Sequence, residues 1–126
     1  MKPFFIFILS FIAPFIYWRS LFYLRRAYFN RPLIRTVTGL QIHHLHHGII
    51  YVSIEAVILL FYGLNTYVLI FLGIGLGSMF DEFIWSAMMP GNRQLELDVY
   101  NKSFLPTLIL FFVIIILLLI LSVYAV

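Results

Sequence analysis

The sequence predicts an all-α, polytopic integral membrane protein with four transmembrane helices, the middle two forming a central antiparallel hairpin. Three observations carry this expectation. Of the 126 residues, 63% are apolar and only 10% are charged, and the mean hydropathy is +1.05. A water-soluble fold of this length has too little interior to hide that much apolar surface, whereas a bilayer removes the need to hide it. The apolar residues also fall into four runs of about the 20 residues that a span requires. Between the second and third runs stands only the turn sequence GLNT, residues 63–66, which leaves room for little but a reversal of direction.

The first span is expected over residues 4–24, where FFIFILSFIAPFIYW is interrupted by Pro14. A secretory signal is the competing reading, with Lys2 as its basic end. Bulky Phe15, Ile16, Tyr17 and Trp18 stand where cleavage needs small residues, so the segment reads as a retained span. Extending it to Leu24 brings in Arg19, expected to snorkel towards the headgroups. Residues 19–35 then interleave five arginines with aromatic rings, the pattern of a basic interfacial segment among lipid phosphates. Such a pattern also suits nucleic acid, but spans on both sides make anionic lipid the expected partner.

The second span is expected over residues 42–62 and the third over 66–89. The polar connection PGNRQLELDVYNK leads to a fourth over 104–125, where Pro106 is tolerated in the first turn. This last run carries no charged side chain and is expected to face lipid and contribute packing only. Seven of the eight basic residues (Arg19, Arg25, Arg26, Arg31, Arg35, Arg93 and Lys102) fall on one side of a four-span arrangement. The positive-inside rule therefore places both charged connections in the cytoplasm and both termini outside. With no cysteine in the chain, disulfides, thiolate-bound metals and cysteine nucleophiles are excluded.

All four histidines lie together, in HHLHH at residues 43–47. Ionisable side chains inside a span are costly and call for a partner, a metal or a proton. Folding the hairpin on the midpoint between Gly63 and Leu64 brings His46 level with Asp81, each roughly 26 Å along its helix at a rise of about 1.5 Å per residue. His43, His46 and His47 share an arc of about 100°, with His44 at its flank. On the third span Gly73, Gly77, Asp81 and Trp85 recur every four residues. If that stripe faces the second span, close approach at the glycines carries Asp81 towards the histidines. Glu82, rotated by about 100°, either joins them or faces another helix.

Imidazole nitrogen with carboxylate oxygen is a donor set for a divalent transition metal, iron or zinc foremost. The expected ligands are His43, His46, His47 and Asp81, with His44 and Glu82 as further members. The plain alternative is that the histidines sit half hydrated among the headgroups while Asp81 bonds one of them. Bis-histidine haem is another reading, and it would need two copies of the second span. Glu55 falls near the bilayer centre on the stripe of His43, His47 and Tyr51. It either borders a slot for a lipid tail or quinone beside GIGLG, or is a packing residue bonded to a backbone carbonyl.

The pattern His-x-x-His-His at His43, His46 and His47 resembles one histidine box of the membrane fatty-acid desaturases and hydroxylases. That resemblance covers five residues, and the further boxes with which that family holds two irons have no counterpart here. In that family the boxes together hold iron for attack on acyl chains, and with a single box here that reaction is not carried over. No Ser–His–acid order or phosphate loop stands out. Two functions therefore compete: a metal-dependent lipid-modifying enzyme, with Glu55 or Glu82 as catalytic proton carriers, and a non-catalytic subunit that holds metal or haem in a homo-oligomer or larger membrane complex. Membrane lipid is the expected partner in either case, and nucleic acid is not.

Overall fold

The computed structural model describes residues 2–24, 44–88 and 100–124. Those residues form four helices: α1 (Lys2–Leu24), α2 (His44–Tyr62), α3 (Thr66–Ala87) and α4 (Phe104–Tyr124). There is no strand among the described residues. Each helix is long and apolar enough to cross a membrane, so the all-α, four-span architecture is as expected and the chain is an integral membrane protein. Arg25, Arg26, Arg31, Arg35, His43, Met89 and Arg93 lie outside the described residues.

The reversal between α2 and α3 is local in origin. Gly63 takes φ +74°, a left-handed conformation that ends α2 and that glycine adopts without penalty. Two residues later the Asn65 side chain caps α3 by accepting from the Val68 N–H at 3.0 Å. The hairpin closes in the expected register, with Leu45 opposite Glu82 and Gly48 opposite Met79.

Helix α3 is the centre of the molecule. It packs along α1 and α2 and more briefly against α4, and α2 packs on α3 alone among the described helices. The glycines of α3 allow this by serving two faces. A methyl group on Gly77 would lie 2.1 Å from the carbonyl oxygen of Phe11, and one on Gly73 would lie 2.7 Å from Ser10 Cβ, so this pair faces α1. The close approach to α2 belongs to Gly75 and Gly48, where a Cβ on Gly48 would sit 2.5 Å from the Gly75 oxygen. This corrects the expectation that Gly73 and Gly77 meet the second span. The spacing of four was right, but α1 supplies the facing backbone, running parallel to α3 so that Phe11 and Pro14 meet Gly77.

Helix α4 also does more than face lipid. Phe111 packs at a tilt against Phe11 and Phe15 of α1, with ring centroids 4.8 and 5.0 Å away. Phe104 lies 5.7 Å from Phe15. These rings form the apolar core shared by α1, α3 and α4.

Candidate functional site

At one end of the bundle α1 and α3 finish while α2 and α4 begin, and in the sequence this is the end flanked by the arginine-rich segment and the connection of residues 90–102. Two polar assemblies meet there, on faces of α3 about 100° apart.

The first assembly is sealed. Arg19 of α1 is only 3% exposed, so it does not snorkel; it turns inward because Asp81, level with it across the α1–α3 contact, offers a charge partner. Arg19 Nε donates to Asp81 Oδ1 at 2.9 Å, and one terminal nitrogen donates to the Asp81 carbonyl at 3.2 Å, Ser103 Oγ at 3.1 Å and Thr107 Oγ1 at 3.4 Å. The other terminal nitrogen donates to the Tyr100 carbonyl. The guanidinium carbon lies 3.7 Å from the centroid of the Tyr100 ring, a desolvated cation–π contact worth about 2 kcal/mol. Tyr100 closes the circuit by donating its hydroxyl to Asp81 Oδ2 at 2.6 Å.

Burial and the adjacent Asp81 charge hold the Tyr100 phenol well above its ordinary pKa, so it remains a proton donor. Phe22 and Trp85 cover the ring. Both Asp81 oxygens are thus engaged by Arg19 and Tyr100. The stripe of Gly73, Gly77, Asp81 and Trp85 points this carboxylate at α1, away from the histidines towards which it was expected to turn.

The second assembly belongs to Glu82 and the start of α2. Glu82 is 2% exposed, and its Oε2 accepts from the Leu45 N–H at 3.4 Å, placing a buried carboxylate at the helix N-terminus inside HHLHH. An N-terminus favours an anion because its first amides lack partners and the helix dipole is positive there. His44 begins α2, and His46 and His47 lie on exposed turns of it. His43 lies outside the described residues. Among the described residues no three His, Asp or Glu side chains are placed to share one ion.

Glu55 is 8% exposed, at the seam of α2 and α3, one turn beyond Tyr51. Beside the second assembly, a groove of about 480 Å³ opens between α1, α2 and α3. The sequence does not reveal the network around Arg19, because an arginine near a span end reads as an interfacial anchor. The signal that could have found it is the equal depth of Arg19 and Asp81 on two spans that run in the same direction. No protein-family model matches the chain, and neither does any curated protein or solved structure.

Proposed function

We propose that the charged end of the α2–α3 hairpin holds a divalent transition metal, iron or zinc, on histidines of the HHLHH run together with Glu82, and serves metal-dependent modification of membrane lipid. The observation that supports this reading is the contact of Glu82 with the Leu45 amide, which brings a carboxylate into the histidine run. Neutral imidazole and carboxylate are the donors that such metals take. The ligands would be drawn from Glu82 and from His43, His44, His46 and His47; no three of the described members already converge on one point, so binding would have to draw the set together, and Asp81 stands apart because Arg19 and Tyr100 occupy it. A bound metal would supply Lewis acidity or an activated water. The chain's own part is to fix Glu82 at the helix terminus beside the histidine run.

By the positive-inside rule we read this end, with its excess of basic residues, as the cytoplasmic one. The decisive measurement is the metal content of protein purified without chelators. Occupancy near one equivalent is expected, falling below about a tenth in Glu82→Gln with His47→Ala, since metal affinity depends on the complete ligand set. Metal-free wild-type protein would overturn the proposal.

A further inference from the structure

The groove beside the histidines has a graded lining. Towards the charged end it is bordered by Tyr17 and Trp18 of α1, His47 of α2 and Ser78 of α3; one turn deeper come Ala13, Pro14, Tyr51 and Ile74. The volume of about 480 Å³ falls within the range of small-molecule sites. Among these residues Ser78 stands out. It is 5% exposed, and its hydroxyl makes none of the hydrogen bonds formed among the described residues, whereas Ser53, Ser86 and Ser122 each satisfy theirs on their own helix. Among the described residues no buried side-chain oxygen is sealed without a partner, so the Ser78 hydroxyl keeps its residual opening. It is a hydrogen-bonding group on a groove wall with no partner among the described residues, and leaving such a group unmatched in apolar surroundings is costly.

We infer that this groove binds one acyl chain of an anionic glycerophospholipid, with the chain lying along Ala13, Pro14 and Ile74 and an ester oxygen accepting from Ser78. The apolar depth matches the chain and the polar collar matches the ester region. The negative headgroup is set by charge: the sequence leaves α1 at Leu24 directly into Arg25 and Arg26, with Arg31 and Arg35 following, and the chain carries a formal net charge of +3. Basic clusters flanking a span attract anionic headgroups. A wholly apolar occupant would leave Ser78 unmatched, and a soluble anion would leave the apolar floor empty. This deepens the metal reading by naming the lipid presented to His47.

The test uses phosphatidylglycerol carrying a photoreactive diazirine in one acyl chain, in phosphatidylcholine nanodiscs holding the full-length protein, with and without chelator treatment. Crosslinks are expected on the groove-lining segments of α1, α2 and α3 in both conditions, so loss of metal and loss of lipid read separately. Ile74→Trp fills the groove and should lower this labelling at least roughly fivefold, while Ser78→Ala, which breaks no bond among the described residues, should lower it roughly threefold, the scale of one hydrogen bond. Ile109→Trp, on the outer face of α4, should leave it unchanged. Labelling spread evenly over the lipid-facing surfaces of α1 and α4 would overturn the inference. So would equal labelling by a phosphatidylcholine probe, or a Ser78→Ala result equal to wild type.

Discussion

Asp81 and Glu82 are adjacent, both carboxylates and both almost fully buried, yet they do different work because a helix turns about 100° between them. Asp81 faces α1 and is consumed by Arg19 and Tyr100. Glu82 faces the start of α2 and meets a backbone amide among histidines. The α1 face of α3 is a closed ion pair capped by aromatic rings, with every polar group matched from within. The α2 face is a helix terminus beside a groove open to the membrane. In this molecule the partners of a buried carboxylate are set by which neighbouring helix it faces.

The strongest way to break the comparison is to remove one charge from the closed face. Arg19→Leu should cost about 3–5 kcal/mol, since Asp81 is left buried without its counter-charge. Arg19→Leu with Asp81→Leu should recover most of that loss. Thermal unfolding in detergent micelles checks both, and a single variant as stable as wild type would mean the ion pair does not hold the bundle together.

Next in size are the glycines. Gly77→Ala forces a methyl group against the Phe11 carbonyl and should cost about 1–3 kcal/mol, while metal content per folded molecule stays unchanged. Gly48→Ala should cost a similar amount but also shift the histidine end against α3, lowering metal content. Equal metal content in the two variants would dissolve the distinction between the faces.

Tyr100→Phe removes a hydrogen bond to a charged acceptor and should cost about 1.5–3 kcal/mol near neutral pH. Its pH signature is more specific. Because the folded protein raises the phenol pKa, the Tyr100 contribution is fully present below the unfolded value of about 10 and is lost as pH rises through the folded one. Wild-type stability should therefore decline above about pH 10, and Tyr100→Phe should flatten that decline.

The smallest effect on stability is expected from Glu82→Gln, below about 1 kcal/mol, the scale of a charge at a helix N-terminus. A stability loss as large as that of Arg19→Leu would make Glu82 a structural residue and erase the contrast with Asp81. Sidedness can be read without any stability change: Leu64→Cys, at the exposed hairpin turn, should react with an impermeant thiol reagent added outside intact cells, and Met88→Cys should not. The reverse pattern would put the histidine end outside.

Composition and the length of the apolar runs determined the four helices, because in a bilayer backbone polarity leaves no other spanning form for such segments. Residues 63–66 determined the hairpin and its register, since a turn this short ties residues equally distant from it. The histidine run and the acidic pair were visible as costly groups for the same reason. Which helix each face of α3 meets was decided by the tertiary structure alone. The stripe of Gly73, Gly77 and Asp81 permits close approach to any backbone, and sequence periodicity gives the direction of a stripe around its own axis without naming the partner. Parallel packing of α1 on α3, 62 residues apart at Arg19 and Asp81, turned an expected surface arginine into the centre of the bundle. It also drew Ser103 and Thr107 of the fourth segment into the network. That contact is non-local, and its energy comes from matching two charges that are each unfavourable alone, so only the assembled bundle could place it.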